Sequence, residues 1–206
     1  DRGTIVLDGK NITSLPDYKR SKFIGRMFQD PLKGTAPSMT IEENLALAYM
    51  RASSGTNPFS VISRADRAEF RERLSQLGLG LEDRMGNPVG LLSGGQRQAL
   101  TLLMATMVTP KLLLLDEHTA ALDPATADKV LSLTRQIVAD HGITCLMITH
   151  NIPSALSLGN RTIMMRGGSI VLELGGKTRE GMTPEALLKL FHQQGISNDR
   201  IELSAE

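Results

Sequence analysis

The sequence predicts an α/β fold with a parallel sheet as its core and a helical segment inserted into it. From residue 92 onward, strand-like and helix-like segments alternate. The run Ile143 to Thr149 is continuously apolar, as expected for a parallel strand that is covered on both faces. Residues 37–91 contain two amphipathic helices and no clear strand. The expected organisation is therefore a first part of the core at 1–36, a helical subdomain at 37–91 and the rest of the core at 92–206.

The first part of the core contains two predicted strands. Thr4 to Leu7 form the first, which ends at the turn Asp8-Gly9. Phe23 to Phe28 form the second, which breaks at Gln29-Asp30-Pro31.

The helical subdomain is predicted from two capping signals. Thr40 and Glu43 form a capping box ahead of a helix from Ile41 to Arg51. Ser63 caps a second, charged helix that extends to Leu77. A polar loop at 52–58 connects the two.

The last part of the core alternates helices and strands. The expected order is given by the ranges Gln96 to Met107 (helix), Leu112 to Leu115 (strand), Pro124 to Ala139 (helix, capped by Asp123), Ile143 to Thr149 (strand), a hairpin of Thr162 to Met165 with Ser169 to Leu174, and a final helix after Thr183.

Composition excludes several classes of protein. The chain has 206 residues, 23 basic against 22 acidic side chains and no tryptophan, so it offers no general attraction to nucleic acid. Its single cysteine, Cys145, lies in an apolar strand and is predicted to be a buried, inert thiol. No apolar run approaches the roughly 18 residues that a membrane span needs, so we expect the protein to serve any membrane from the aqueous side.

The strongest local motif is Leu92-Ser93-Gly94-Gly95-Gln96, at the start of a predicted helix. Two glycines allow backbone N–H groups to approach an anion closely, and the positive end of the helix and the Ser93 hydroxyl add to that attraction. A glycine-rich helix start that is merely capped by serine explains the pentapeptide equally well.

A second motif is the strand Leu112 to Leu115 followed by Asp116 and Glu117. A parallel strand that ends in two carboxylates delivers them to the sheet edge where α/β folds bind ligands. Asp116 would organise Mg²⁺, and Glu117 would orient or deprotonate an attacking water. A strand that simply ends at a charged turn is the simpler reading of this motif alone.

Three further polar residues lie at element ends. His150 follows the strand Ile143 to Thr149 and could donate to a γ-phosphate. Gln29 follows the second strand and could reach both a metal and a water. Asp123 is a helix N-cap in any case. Each of them, taken singly, is commonly structural.

Together, these residues resemble the ABC-type ATPase family. Gln29, Ser93 to Gln96, Asp116-Glu117, Asp123 and His150 occur in the order of that family's Q-loop, signature motif, Walker B motif, D-loop and H-loop. The similarity extends from Thr4 to about Leu190, and it implies a P-loop NTPase (RecA-like) core with an inserted helical subdomain.

The resemblance also implies how the residues would be used. Members pair head to tail, so Ser93, Gly94, Gly95, Gln96 and Asp123 would contact ATP held mainly by a second ATPase subunit, in a homodimer. Catalytic Glu117, His150 and Gln29 would serve the ATP of their own subunit, with Asp116 and Gln29 at Mg²⁺.

The sequence departs from the family pattern in two places. The family's phosphate loop, which ends in Gly-Lys-Ser/Thr, lies several tens of residues before the Q-loop, whereas only 28 residues precede Gln29 and none fits. We therefore expect a chain truncated before that loop, and expect this piece alone to be inactive. Gly175-Gly176-Lys177-Thr178 is not the loop, because the required earlier glycine is Val171. His118 replaces the family's usual proline and is expected to change only the local turn.

The resemblance finally implies partners and a location. A stand-alone ATPase resembles prokaryotic importer subunits, which act with an integral membrane permease and a solute-binding protein at the cytoplasmic face of the plasma membrane. Ser38 to Arg51 and the tail beyond Gly159 are similar to ATPases of amino-acid-type importers. A non-transport ABC ATPase of DNA repair or translation and a catalytically inactive ABC binding subunit are the alternatives. The first would need long coiled coils or two ATPase copies, and this chain shows neither.

Overall fold

The computed structural model describes residues 2–52 and 62–193. Its contacts divide the chain into two compact units, Asp1–Met147 and Ile148–Glu206. The loop expected at 52–58 lies outside the described residues except for residue 52. The subdomain boundaries expected after residues 36 and 91 both fall within the first unit and stay predictions.

The first unit opens with a small hairpin. Strands β1 (Val6–Leu7) and β2 (Lys10–Asn11) pair antiparallel. The predicted turn lies between them, with φ of 51° at Asp8 and 73° at Gly9. Two successive left-handed residues are the geometry that Asp-Gly favours in a two-residue hairpin loop. A short helix, α1 (Asp17–Arg20), follows.

Among the described residues that follow, up to Ile148, there are a three-stranded sheet and four helices. In chain order they are β3 (Ile24–Met27), α2 (Ile41–Ala52), α3 (Arg64–Ser75), α4 (Gly94–Thr106), β4 (Leu112–Asp116), α5 (Pro124–Asp140) and β5 (Thr144–Ile148), with short 3₁₀ turns at Pro31–Gly34 and Val89–Leu91. The strand order is β3-β4-β5, and β3 and β4 run parallel. The α/β class is thus confirmed, and the carboxyl ends of β3 and β4 lie at one edge of the sheet.

Both predicted caps in the helical segment are present. The Glu43 carboxylate accepts from the backbone N–H of Thr40 at 2.7 Å, and the Thr40 hydroxyl accepts from the N–H of Glu43 at 3.2 Å. At α3, Ser63 and Asp66 form the same reciprocal pair. These caps satisfy N–H groups that a helix start leaves without partners.

Helix α4 connects the helical segment to the sheet. Ala99, Leu100 and Leu103 pack in a cluster with buried residues of α2 and α3, whereas Leu102 and Ala105 pack against the strands. The helix approaches β3 closely, because a Cβ added at Gly25 would lie 2.6 Å from the Ala105 carbonyl oxygen. Helix α4 is therefore packed on two sides, against the helical cluster and against the strands.

The sheet is covered less completely than the sequence predicts. Cys145 and Met147 of β5 pack against the cluster beneath α4 and α5, but the alternate residue Leu146 is 51% exposed. The expectation that this strand is covered on both faces is wrong for the described residues. Side chains alternate in direction along a strand, and in the described part of the first unit the helices bury one set of them.

Up to residue 193, where the description of the second unit ends, it contains a hairpin and three helices. They are α6 (Ile152–Ser157), β6 (Arg161–Arg166), β7 (Ser169–Gly175), α7 (Gly176–Glu180) and α8 (Pro184–Gln193). The strands turn at Gly167 and Gly168, both left-handed, as predicted. The segment at Gly175–Thr178 leads into the five-residue polar helix α7, consistent with its rejection as a phosphate loop.

Within 2–52 and 62–193, no helix has both the length and the apolar character needed to cross a membrane.

Candidate functional site

Two of the predicted site residues meet at the shared edge of β3 and β4. Gln29 lies two residues beyond the end of β3, and Glu117 directly follows β4. The Gln29 side-chain amide donates through Nε2 to Glu117 Oε2 at 3.0 Å, although the residues are 88 positions apart. Parallel pairing of the strands produces this meeting, because it brings both carboxyl ends to one edge.

The backbone at Glu117 has an unusual conformation. Its φ is 44°, in the left-handed region that residues with a Cβ rarely adopt. Its carbonyl oxygen accepts from the N–H of Ala120 at 3.0 Å, which closes a turn directly after the strand. Such strain is characteristic of functional sites and persists only where the surroundings fix it.

Asp116 precedes Glu117 and faces a basic side chain that the sequence analysis missed. The Arg26 guanidinium lies 4.0 Å from Asp116 Oδ2 and stacks over the Phe28 ring with 4.5 Å to the ring centroid. Both charged groups are about half exposed, so the pair contributes little to stability. In the sequence, a charged residue stands between Gly25 and Met27 in a predicted strand. In the structure Arg26 is exposed and its two neighbours are buried, so this alternation could have predicted that the Arg26 side chain points to the solvent.

His118 is buried, with 1% of its surface exposed. Its Nε2 lies 3.3 Å from the Thr134 hydroxyl on α5, and burial lowers the pKa of the ring from 6.5 to about 4. The expectation that this residue changes only the local turn is therefore too narrow, because its contact reaches another helix. A polar residue beside a strand end gives no sequence signal of which helix will cover it.

The signature residues form a second group at the start of α4. Ser93 Oγ accepts from the N–H of Gln96, and Gln96 Oε1 accepts from the N–H of Ser93, both at 3.2 Å. The capping interpretation is thus correct. Ser93 and Gly94 remain exposed, so the helix start is also open to a ligand.

The start of α5 packs against these glycines. A Cβ added at Gly95 would overlap the methyl group of Thr126, and one at Gly94 would lie 3.2 Å from Leu122. Asp123 caps α5 by accepting from the N–H of Thr126 at 3.1 Å. Hydrogen bonding with the side chain of Thr126, and then with its backbone N–H, lowers the pKa of the Asp123 carboxyl. The signature residues and the turn at Asp123 are therefore packed directly against each other.

His150 and Cys145 complete the predicted set. His150 is exposed and lies two residues beyond β5, within the second unit. Cys145 is half-buried, and burial raises the pKa of its thiol to about 11. The thiol is protonated at neutral pH, as expected for an inert cysteine.

The oxygen donors at the sheet edge are few. Within the described ranges no three His, Cys, Asp or Glu side chains converge as a metal site would require. Asp116 provides one carboxylate. Gln29 provides one amide oxygen, since its nitrogen is engaged by Glu117. A Mg²⁺ ion that is bound mainly by substrate phosphates and water needs no more protein ligands than this.

Comparison with known proteins gives consistent matches. A family model described as ABC transporter matches residues 1–120. A tyrosine transport ATP-binding protein of Clostridioides difficile is 44% identical over 189 residues, which cover 92% of this chain and 74% of that protein. A methionine import ATP-binding protein of Thermobifida fusca is 34% identical over 206 residues, which cover 98% of this chain and 60% of that protein.

A solved structure shares the fold. It is a dimeric post-hydrolysis state of an ATP-binding cassette bound to ADP and Pi, with a TM-score of 0.70 and 27% identity over 84% of this chain and 73% of that one. The curated relatives are longer than this chain, which spans about three quarters of the first and 60% of the second.

Proposed function

This chain belongs to the ABC transporter ATP-binding family, and from that premise we propose that the protein hydrolyses ATP to power solute import through a separate permease. The observation that supports this proposal most directly is the pair formed by Gln29 and Glu117, at 3.0 Å on the shared edge of two parallel strands. A carboxylate that is held in place beside a phosphate site is what hydrolysis needs to orient water.

In this proposal Glu117 accepts a proton from the attacking water or orients it. The hydrogen bond from Gln29 holds the Glu117 carboxylate at the edge shared by β3 and β4. His150 would donate to the γ-phosphate, a role that rests on its position after an apolar strand.

The residues present fit Mg²⁺ as the nucleotide's counter-ion. Asp116 would hold it, together with the side-chain oxygen of Gln29, at the same edge as Glu117. When bound, the ion neutralises charge on the transferring phosphoryl group. The carboxylate of Asp116 also lies 4.0 Å from the Arg26 guanidinium.

The signature group would act on the ATP of a second subunit. Ser93 and Gly94 are exposed at a helix start, where N–H groups and the helix dipole favour a phosphate. Leu91, just before them, is 69% exposed and would be covered in a dimer. Gly95, Gln96 and Asp123 would contribute from the same packed group. The dimeric form of the related ATP-binding cassette supports a homodimer.

The cargo is proposed to be an amino-acid-type solute. The names of two relatives specify tyrosine transport and methionine import. A solute-binding protein would deliver the solute to the permease, and the ATPase would attach peripherally to the cytoplasmic face of the plasma membrane.

The permease would dock beside the Q-loop. There an open groove of about 320 Å³ lies between the end of β3, the turn after it, α2 and α4. Arg26, Lys33 and Arg51 give its walls a positive charge. An acidic or neutral segment of the permease would therefore fit it better than a basic one.

Replacing Glu117 with glutamine tests this function in the full-length protein. The amide keeps the shape and an acceptor for Gln29 but cannot take a proton, so we expect turnover to fall at least about 100-fold. MgATP binding should persist, and ATP-dependent dimers should accumulate in gel filtration.

The matched control for this variant is Glu72→Gln, at an exposed carboxylate on α3. It should hydrolyse ATP at the wild-type rate. If Glu117→Gln did the same, Glu117 would not be the catalytic carboxylate and the proposed mechanism would be wrong.

A further inference from the structure

His118 is the buried residue nearest in sequence to the proposed catalytic carboxylate. It directly follows Glu117 and is among the largest side chains that are fully buried in the described part of the chain. A buried polar ring needs a hydrogen-bond partner, and here the partner is Thr134, which is itself 6% exposed. The bond joins the turn after β4 to the middle of α5.

The direction of this hydrogen bond follows from the partner's other contact. The Thr134 hydroxyl donates its single hydrogen to the Val130 carbonyl oxygen at 2.8 Å. Toward His118 it can therefore only accept, so His118 must carry its proton on Nε2 and donate it. The contact with α5 therefore fixes the tautomer of the ring.

The hydrogen bond between His118 and Thr134 lies next to Glu117, the residue with the strained backbone. Glu117 holds a left-handed φ of 44° between the last residue of β4 and His118. On one side the parallel pairing fixes the strand, and on the other the His118 side chain is tied to Thr134. A non-glycine residue stays in this region only when its neighbours leave no alternative. Freed from Thr134, the peptide after Glu117 could rotate and carry the carboxylate away from Gln29.

We propose that His118 is a positioning residue for Glu117, and that its Nε2–H bond to Thr134 holds the turn in the conformation that aims the carboxylate at the attacking water. This inference rests on the proposed role of Glu117 in hydrolysis. A positioning role differs from merely filling buried space. An apolar side chain of similar size would fill the space but could not donate a hydrogen bond to Thr134.

Three substitutions in the full-length protein separate the two roles. His118→Leu fills the space without a donor. His118→Gln keeps a nitrogen donor at the same number of bonds from the backbone. Thr134→Val removes the acceptor with almost no change in shape. Turnover, the KM for ATP and the affinity for MgATP are measured for each, and melting temperatures verify folding.

We expect His118→Leu and Thr134→Val each to lower kcat at least about 10-fold, as a misplaced catalytic group does. The KM and the affinity for MgATP should stay within about 2-fold, because the effect arises after binding. His118→Gln should recover most of the rate. The double variant His118→Leu with Thr134→Val should be no slower than either single variant, since both remove one bond.

The decisive comparison uses the Glu117→Gln background. If His118 acts through Glu117, adding His118→Leu there should leave the residual rate unchanged. A further fall of the same factor, or wild-type kcat in both His118→Leu and Thr134→Val, would overturn the inference. If His118→Leu does not fold, Thr134→Val carries the same comparisons.

The same series distinguishes this inference from the proposed function. Full turnover by Glu117→Gln would overturn both. Loss of turnover by Glu117→Gln with unaltered His118→Leu and Thr134→Val would overturn the positioning role alone.

Discussion

At the scale of single residues, the candidate site depends on side chains that the fold brings together from distant positions. Gln29 reaches Glu117 across 88 positions, and His118 reaches Thr134 across 16. Strand-end placement of Gln29 and Glu117 could be predicted, because an apolar strand that stops at a polar residue marks a sheet edge. The partner of His118 could not, because nothing in the local sequence records which face of α5 covers the turn.

The buried ring of His118 makes a pH-dependent contribution to stability. Its pKa falls from 6.5 to about 4 on burial, so the unfolded chain binds a proton more readily than the folded one. The folded state therefore has its full stability above pH 6.5 and loses this contribution as the pH falls toward 4. At pH 5 the loss is about 2 kcal/mol.

Urea unfolding at pH 7 and pH 5 checks this prediction in the full-length protein. His118→Gln removes the titrating ring and keeps a donor for Thr134. Its free energy of unfolding should fall less between the two pH values than that of the wild type. Equal losses in the two proteins would show that His118 does not titrate as its burial implies.

At the scale of elements, α4 and α5 are coupled where each begins. The Thr126 methyl group occupies the space that a side chain at Gly95 would need. Gly95 is therefore required for packing, in addition to the contact with ATP that we propose for it. Helix α4 packs against both the helical cluster and the sheet. A shift at its start would therefore disturb the packing of both.

Substitution at the signature glycines tests this packing. Gly95→Ala should destabilise the protein by about 1–3 kcal/mol, as overpacking of a buried contact does. Thr126→Ser removes the offending methyl group and should restore most of the loss in the double variant. Gly94→Ala is the matched control, because its Cβ would meet only the flexible end of Leu122 at 3.2 Å. The measurement is the free energy of unfolding in urea. If Thr126→Ser did not restore the stability lost in Gly95→Ala, the packing of Gly95 against the Thr126 methyl group would be contradicted.

How much of each element could be predicted depends on how local its determinants are. The capping pairs at Thr40 and Ser63 and the cap at Asp123 formed as expected, because each joins residues three positions apart. Coverage of β5 was mispredicted. An apolar run shows that a strand can be buried, but Leu146 is exposed because burial also needs an element to lie over that face.

At the scale of the whole molecule, the proposed function requires catalysis that is shared between two subunits. Glu117 and Gln29 form one group, and Ser93 to Gln96 with the start of α5 form another. In the head-to-tail arrangement each group would serve a different ATP. We propose that the closed state alone contacts the γ-phosphate, so that closure would follow ATP binding and opening would follow hydrolysis.

The most direct test of that claim compares two substitutions at Ser93 in the full-length protein. Ser93→Ala and Ser93→Arg both lose the cap of α4, but only arginine obstructs the exposed helix start. With Glu117→Gln in the background, ATP-driven association is followed by energy transfer between labelled subunits, and MgATP binding is measured on the isolated subunit. We predict that Ser93→Arg abolishes association and keeps MgATP affinity within a few-fold of that of Ser93→Ala. Loss of MgATP binding by the isolated Ser93→Arg subunit would place the signature at its own subunit's nucleotide and contradict the shared site.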